Sequence, residues 1–358
     1  MVFAKKLEIL NQNTTPLGKL LRVALTLIVF VGFASLVKAQ DIHYSMFYNG
    51  PQILNPALTG IFYGDSRIMG HYRRQWKNVP VDYMTFSGTY DMKVYPKKLN
   101  NDFWGFGLNF NYDRAGFSKL SLTNLQLGAS YSKELSSNVF LTGGAQLGFS
   151  QRAFKTDELT FDNQFLGGAF DPTAPNGEDL TNTSFFFVDV GLGGNLRLQN
   201  EDRRTKLDLG ISMYHLLEPQ QTFFDDSGVK LPRRIAVHAL GALKVADPLD
   251  ILLRGTAQFQ STYREYVPGI AARIHLDQDR GKELAFQLGV NARFNSITDA
   301  IVPTIEVHYR TLSVGVSYDI NVSQFEIATD GAGGPEIWVS YRVVKVKPIN
   351  DFKTCPIF

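Results

Sequence analysis

The chain has 358 residues, of which 44% are hydrophobic, 13% aromatic and 20% charged, and its formal net charge is +2. A charge this close to neutral argues against a nucleic-acid-binding protein, and the mean hydropathy of -0.10 is too polar for a bundle of membrane helices. A transmembrane β-barrel fits this average, because every second residue of its strands faces the lumen.

The N-terminus has the features of a secretory signal peptide. Lys19 and Arg22 precede the apolar stretch 23–33, and Val37 and Ala39 suit the minus-three and minus-one positions for cleavage before Gln40. The alternative is a membrane anchor, but the apolar stretch is shorter than the ~20 residues that a spanning helix needs. The sequence therefore predicts a signal peptide over residues 1–39.

Residues 40–65 follow, with the sequence QDIHYSMFYNGPQILNPALTGIFYGD. This segment is rich in aromatic residues, contains two prolines and has no sustained alternation of apolar and polar positions. Two interpretations stay open at this point, an ordered plug or periplasmic element, and a flexible lead-in to the first strand.

From residue 66 to residue 346 the chain alternates apolar and polar positions repeatedly. In Phe103–Asp113 the even positions are apolar or aromatic, and the odd positions after Phe103 are glycine, asparagine or aspartate. A period of two is the repeat of a strand, and a sheet inside a bilayer must close because unpaired edge amides cost several kcal/mol each. The sequence predicts an all-β fold, a transmembrane antiparallel β-barrel of about 14 strands in the cell outer membrane.

The strands are expected at the following positions. They are residues 67–76, 84–95, 103–113, 120–131, 139–151, 186–196, 206–213, 234–245, 249–260, 266–275, 283–294, 301–309, 311–320 and 337–346. The apolar phase slips between Leu122 and Leu125, which predicts a bulge. Pro268 and Pro303 weaken two of the assignments, because proline cannot donate to the ladder.

Loop length supports this strand count. The longest connections, 152–183, 217–231 and 321–335, follow the fifth, seventh and thirteenth predicted strands, so they all lie at one end of the barrel. Short periplasmic turns and longer external loops are typical of outer-membrane barrels.

Few residues suggest catalysis or metal binding. The six histidines are scattered, Asp225 and Asp226 lack the spacing of a calcium loop, and Gly191–Gly194 continues a strand and is not a nucleotide loop. We therefore predict no catalytic residue, no metal site and no cofactor. Charged residues expected to face the lumen are predicted to pair across it: Lys206, Asp208, Arg234, Lys244, Arg254, Arg273, Glu283, Arg293 and Arg342.

Several motifs along the mature chain resemble the PorP/SprF family. They are Tyr44-Ser-Met-Phe-Tyr-Asn, Leu54-Asn-Pro-Ala-Leu-Thr-Gly60, Tyr72-Arg-Arg-Gln-Trp76 with Pro80 and Ser87, Asp113-Arg-Ala-Gly116, the Leu141–Gly148 strand and the terminal Cys355-Pro-Ile-Phe358. The resemblance covers the chain from Asp41 to Phe358. It implies an outer-membrane component of the type IX secretion system. Residues 347–358 fall outside the predicted strands, and we expect them to form a C-terminal periplasmic tail.

The resemblance also implies a function in export or surface anchoring of a partner protein, which in this family can be a large adhesin. The expected partners are a secreted protein with a type IX C-terminal domain, other type IX secretion components and outer-membrane lipid, but no nucleic acid. The residues predicted to bind a partner are Asn55, Pro56, Gly60, Gln75, Trp76, Cys355, Pro356 and Phe358. The alternatives are an outer-membrane channel for small solutes and an outer-membrane enzyme, and the latter would need a clustered nucleophile, base and acid.

Overall fold

The computed structural model describes residues 41–76, 83–96, 102–157, 159–166, 169–178, 180–200, 204–224, 228–295, 300–323 and 329–345. The predicted signal peptide, the predicted C-terminal tail and the predicted site residues Cys355, Pro356 and Phe358 lie outside the described residues. No helix within the described ranges is long and apolar enough to cross a bilayer.

The strands form a closed antiparallel barrel with a small hairpin in one loop. In chain order they are β1 (Ser66–Gln75), β2 (Tyr83–Val94), β3 (Phe103–Ala115), β4 (Leu120–Ser136), β5 (Val139–Ala153), β6 (Phe165–Leu166), β7 (Ala169–Phe170), β8 (Ser184–Gln199), β9 (Lys206–Tyr214), β10 (Arg234–Ala246), β11 (Leu249–Gln260), β12 (Tyr263–Asp277), β13 (Leu284–Asn295), β14 (Ala300–Tyr309), β15 (Leu312–Asn321) and β16 (Ala332–Val343). All except β6 and β7, which pair with each other, belong to the wall, so the predicted count of 14 strands is confirmed.

The wall closes where the last strand meets the first. Strands β1 and β16 pair antiparallel, from Ser66 opposite Val343 to Arg73 opposite Glu336. Every wall strand is therefore hydrogen-bonded on both sides. A closed sheet leaves no row of unpaired amides, which is the condition for a sheet to cross a bilayer.

The alternation of the sequence becomes the two faces of the wall. On β3, Asn109 and Asn111 point inward and are almost fully buried, while Trp104 and Phe106 point outward and are 42% and 44% exposed. The outer face is a continuous apolar surface, as lipid contact requires. The inner face carries asparagine, serine, threonine and charged residues.

The two ends of the barrel differ in loop length. We call one end the turn end, where the connections 95–102, 137–138, 200–205, 247–248, 278–283 and 310–311 lie and where β1 begins and β16 ends. We call the opposite end the loop end, and it carries the three longest connections, 154–183, 215–233 and 322–331. The prediction that the longest loops share one end is confirmed.

The predicted bulge between Leu122 and Leu125 is wrong. Both neighbours of β4 pair with it in unbroken register there, with Leu122 opposite Asp113 on one side and Arg152 on the other. The register shifts instead between Glu134 and Ser136. The apolar phase slips because Leu122 is an apolar residue on the inner face, and no extra residue is inserted.

Both prolines that weakened the strand predictions lie inside wall strands. Pro268 is opposite Gly255, and Pro303 is opposite Val290. Each strand's register to its other neighbour is interrupted at the proline. Because proline has no N–H, the hydrogen-bond ladder on one side of the strand has a local gap, but the strand continues.

Residues 41–65, which we call the plug, cross the lumen from the loop end to the turn end. Asp41 lies 3.1 Å from His215 at the loop end, and the N–H of Asp65 donates to the carbonyl of Val343 at the turn end. Between them lie a single helical turn, α1 (Pro51–Leu54), and the 3-10 turns Phe47–Asn49 and Pro56–Leu58.

The plug also supplies most of the small apolar core inside the barrel. Phe47, Leu54 and Leu58 pack with Val267 of β12, and Leu240 of β10 covers this cluster. Residues 41–65 are therefore folded against the inner wall.

Candidate functional site

Glu336 of β16 binds the first turn of the plug. Its two carboxylate oxygens accept the N–H groups of Ser45 at 2.8 Å and Met46 at 2.7 Å. One of these oxygens also lies 2.8 Å from His71 Nε2 of β1, and the ring of Tyr44 stacks on His71 with centroids 3.7 Å apart. A buried carboxylate that accepts several hydrogen bonds is well compensated for its lost hydration.

Asp319 of β15 organises a second contact between plug and wall. Its Oδ2 accepts from Arg73 Nη2 at 2.6 Å and from Arg293 Nη1 at 2.7 Å. Arg73 Nη1 donates to the carbonyl of His43 at 2.8 Å, and Arg293 Nη1 donates to Ser45 Oγ at 2.9 Å. One buried ionic cluster therefore joins three wall strands to the plug.

The beginning of the plug is held by charges at the loop end. Asp41 Oδ2 lies 3.1 Å from His215 Nε2 and 3.2 Å from Arg234 Nε, while His215 Nδ1 lies 2.8 Å from Asp189 Oδ2. Burial alone would lower the pKa of His215, but the carboxylates of Asp41 and Asp189 outweigh it and raise this pKa to about 9. Burial would likewise raise the pKa of Asp41, yet Arg234 and His215 hold it below its usual range.

Asn55 fixes the middle of the plug to the wall. Its Nδ2 donates to the carbonyl of Gly194 at 3.0 Å and to the carbonyl of Ile211 at 3.2 Å, and its Oδ1 accepts the N–H of Ala57 at 2.8 Å. The side chain is fully buried. Both protons of the amide nitrogen and one of the two lone pairs of its oxygen are thus bound to backbone groups, which is a demanding and specific geometry.

Glycines on the inner wall let the plug backbone approach closely. A Cβ at Gly144 would lie 2.5 Å from the backbone of Pro56 and Ala57, and a Cβ at Gly105 would lie 2.4 Å from the carbonyl oxygen of Thr59. A Cβ at Gly143, the outward-facing neighbour of Gly144 in the chain, would meet nothing within 4 Å. Small inner residues therefore create the space that the plug fills.

Gly60 lies near the C-terminal end of the plug. Its φ of +75° is in the left-handed region that favours glycine, and its N–H donates to Asp91 Oδ2 at 2.9 Å. Asp91 is also held by Arg67, with Nε at 3.0 Å and Nη2 at 2.7 Å. The structure thus brings three of the predicted site residues, Asn55, Pro56 and Gly60, together against the inner wall.

Gln75 and Trp76 lie apart from those three, at the loop end. Gln75 is buried as the last residue of β1. Trp76 has a φ of 54°, its N–H donates to the carbonyl of Gly333, and its ring meets the ring of Tyr83 edge-on at 5.0 Å. Whether any of these residues binds a partner stays a prediction.

Aromatic side chains from two long loops and from the start of β8 meet at the loop end, a feature that the sequence did not single out. Phe223 packs edge-on against Phe154 at 4.7 Å and against Phe185 at 4.9 Å. Nearby in the chain, Leu217 is 60% and Phe224 67% exposed. We call these five residues the aromatic loop surface. The pair Phe223-Phe224 inside a long loop was the signal that could have revealed it.

The prediction that inward charges pair across the lumen holds for part of the set. Arg234 pairs with Asp41, Arg293 with Asp319, and Arg254 lies 3.5 Å from Glu306. Their acidic partners on the wall, and Glu336, were not predicted as such, because a lone acidic residue in a strand does not show which plug atom it faces. Among the described residues no group of three or more potential metal ligands is found.

Comparison with known proteins identifies the family. A family model described as "Type IX secretion system membrane protein PorP/SprF" matches residues 36–341. The chain belongs to the PorP/SprF family. This family member is an outer-membrane protein, and the resemblance drawn from its motifs is confirmed. A comparison with curated proteins gives no match.

Solved structures similar to this PorP/SprF family member are outer-membrane barrels of low sequence identity. The CymD monoaromatic hydrocarbon channel has 8% identity and a TM-score of 0.50, covering 86% of this chain and 95% of its own. The Ralstonia pickettii toluene transporter TbuX has 9% identity and a TM-score of 0.48, covering 83% and 94%. A Pseudomonas aeruginosa FadL homologue has 11% identity and a TM-score of 0.48, covering 80% and 92%. At these identities the likeness concerns the fold alone.

Proposed function

We propose that this barrel takes part in the export or surface anchoring of a secreted partner that carries a type IX C-terminal domain. The observation that carries the proposal is the family match over residues 36–341. Family membership places the chain in type IX secretion, and the finer role of holding a cargo protein is our inference. The partner can be a large adhesin, as the resemblance implies, and other type IX secretion components are expected at the periplasmic side.

The aromatic loop surface supports a role in binding. In outer-membrane barrels the long loops face outward and the short turns face the periplasm, so Leu217 and Phe224 would be presented to the cell exterior. Exposed apolar side chains beside aromatic residues mark protein interaction sites. Leu217 and Phe224 are exposed, and Phe223, next to Phe224 in the chain, belongs to a cluster of three half-buried rings. We infer non-covalent binding of the partner at this end.

The plug argues against the alternative of a small-solute channel. Its backbone lies against the wall at Gly144 and Gly105. Its polar atoms are bound by Glu336, by Asp91, and by Arg73 and Arg293, the two arginines that Asp319 holds. Because this segment is bound firmly across the lumen, we expect it to block the passage of small solutes. The similarity to hydrocarbon channels concerns the fold alone, and it does not imply that this chain transports a hydrocarbon.

The proposal is tested by deletion and by affinity purification. Loss of the gene is expected to remove one or a few large proteins from the cell surface, and an unchanged set of surface proteins would contradict it. Purification of the tagged barrel in mild detergent should recover a protein with a type IX C-terminal domain. Recovery of lipopolysaccharide and porins alone would count against it.

A further inference from the structure

A cavity of about 400 Å³ lies inside the barrel at the turn end. Tyr48 and Ile61 of the plug form one side of it, and inward residues of the wall form the other. The plug fills the loop half of the lumen closely, so this cavity is a separate space below it.

The cavity walls carry more positive than negative charge. Seven lysines and arginines line it against three carboxylates. The basic residues are Arg67, Arg197, Lys206, Arg254, Arg273, Arg310 and Arg342, and the acidic ones are Asp208, Glu283 and Glu306. An excess of like charge inside a barrel is unfavourable unless a counter-ion compensates it.

Three of the seven basic residues pair with carboxylates, and a fourth lies at the rim of the barrel. Arg197 is bound to Asp208 in a fork at 2.8 Å, and Arg67 is bound to Asp91. Arg254 lies 3.5 Å from Glu306, and its guanidinium lies 3.5 Å above the ring of Tyr48. Arg310 lies in the turn 310–311 at the rim.

The other three have no carboxylate partner within ion-pair distance among the described residues. They are Lys206 on β9, Arg273 on β12 and Arg342 on β16. Arg273 donates only to the amide oxygen of Gln287, at 2.8 and 3.0 Å, and Arg342 donates to the carbonyl of Arg310 at 3.2 Å. The positive charges of Arg197, Arg273 and Arg342 and the negative charge of Asp208 all act on Lys206. Lys206, Arg273 and Arg342 line the same cavity, so three cations from separate parts of the wall face one space.

We propose that this cavity is a binding site for a phosphate group, held by Lys206, Arg273 and Arg342. Two guanidinium forks and one ammonium suit a doubly charged tetrahedral oxyanion better than a single carboxylate, because the forks can each donate two parallel hydrogen bonds. The bound dianion removes the repulsion among the three cations. This site is independent of the proposed binding of a partner at the loop end.

The wall offers two routes for the phosphate. A second cavity of about 400 Å³ lies on the outer face and is lined by apolar residues including Leu198, Leu243 and Leu253. It shares Lys206, Gly241 and Ala242 with the inner cavity. The phosphate could therefore belong to a membrane lipid whose acyl chains lie in the outer groove, or to a soluble molecule entering at the turn end.

The test measures binding to the purified full chain in detergent. Inorganic phosphate, or dihexanoyl phosphatidic acid in a parallel arm, is titrated against sodium chloride of equal ionic strength, and the melting temperature is recorded. The wild type should be stabilised by phosphate and not by chloride. The variant K206Q/R273Q/R342Q should bind at least tenfold more weakly, whereas K282Q, an exposed lysine in a turn at the same end, should bind as the wild type does.

A further measurement separates loss of the site from loss of the fold. In phosphate-free buffer the triple variant should melt no lower than the wild type, because the repulsion has been removed. The single variants K206Q and R342Q are measured alongside it and should each weaken binding at least threefold. No phosphate effect on the wild type, or equal effects on wild type and variants, would overturn the proposal.

The variant L253A distinguishes the two sources of phosphate. If a lipid is the ligand, phosphatidic acid binds the wild type more tightly than inorganic phosphate does, and L253A loses that advantage. If a soluble phosphate is the ligand, the two probes bind alike and L253A changes neither. Either result supports the site, and the difference between them identifies the molecule that supplies the phosphate group.

Discussion

Asp41, His215 and Arg234 hold the beginning of the plug through charge, so this contact should respond to pH. The pKa of His215 is raised from its usual 6.5 to about 9 in the folded protein. Its stabilisation is therefore complete below about pH 6.5 and is lost as the pH rises through about 9. The pKa of Asp41 is lowered, so its contribution is present at neutral pH and is lost only in acid.

We expect the melting temperature of the wild type to fall between pH 7.5 and pH ~10 because His215 loses its proton. The variant H215Q should be less stable at pH 7.5 and should show a flatter dependence over the same range. Thermal melts of both proteins across the pH series measure this. Parallel curves for the two proteins would show that His215 does not hold the plug through its charge.

Asn55 is the residue where a single side chain holds the plug to two wall strands. The variant N55A leaves the carbonyls of Gly194 and Ile211 and the N–H of Ala57 without their partner. One unsatisfied buried group costs about 1–3 kcal/mol. The free energy of unfolding of N55A should therefore be lower than that of the wild type by at least the cost of one such group. Asn49 provides the control, because among the described residues its side chain makes a single hydrogen bond, a 3.9 Å contact to the sulfur of Met46.

N49A should therefore unfold close to the wild-type denaturant concentration, and N55A should unfold well below it. Equal midpoints of denaturant unfolding for the two variants would show that Asn55 does not hold the plug to the wall. Partner export measured in the same strains should fall further for N55A than for N49A.

At the scale of the elements, the contact between β5 and the plug offers a matched pair of neighbouring residues. In G144A the new Cβ would lie 2.5 Å from the plug backbone, whereas in G143A it would meet nothing within 4 Å. Overpacking of this kind costs about 1–3 kcal/mol. We expect G144A to release the plug to added protease and G143A to protect it like the wild type, as judged by limited proteolysis and mass spectrometry.

The wall could be predicted from sequence because its signals are local. Alternation in Phe103–Asp113 fixes which side chains face lipid, and the grouping of long loops fixes which strand ends lie together. The exception at Leu122 shows the limit of this reasoning, because an inward apolar residue produces the same pattern as a bulge.

The path of the plug could not be predicted, because it depends on contacts between residues far apart in the chain. Nothing near Ser45 indicates that Glu336 accepts its N–H, and nothing near Asn55 indicates that Gly194 and Ile211 receive its amide. The motifs at 44–49 and 54–60 contributed to the resemblance to the family, but they did not indicate these contacts. The structure shows their contacts with the wall, while their part in binding a partner stays a prediction.

At the scale of the whole molecule, a barrel filled by its own N-terminal segment should conduct poorly. We expect the wild type in planar bilayers to show no steady conductance at moderate voltage, because the plug is held along its length by hydrogen bonds and buried ion pairs. A stable open current from the wild type would favour the channel alternative.

We propose that this plugged outer-membrane barrel of the PorP/SprF family binds an exported partner at its loop end. The most direct measurement is photocrosslinking in living cells, with a photoreactive residue placed at Phe224 in the aromatic loop surface or at Leu209 on the lipid-facing wall. We expect a crosslink from position 224 to a protein with a type IX C-terminal domain, and none from position 209. A partner crosslink at position 209 with none at position 224 would contradict this proposal.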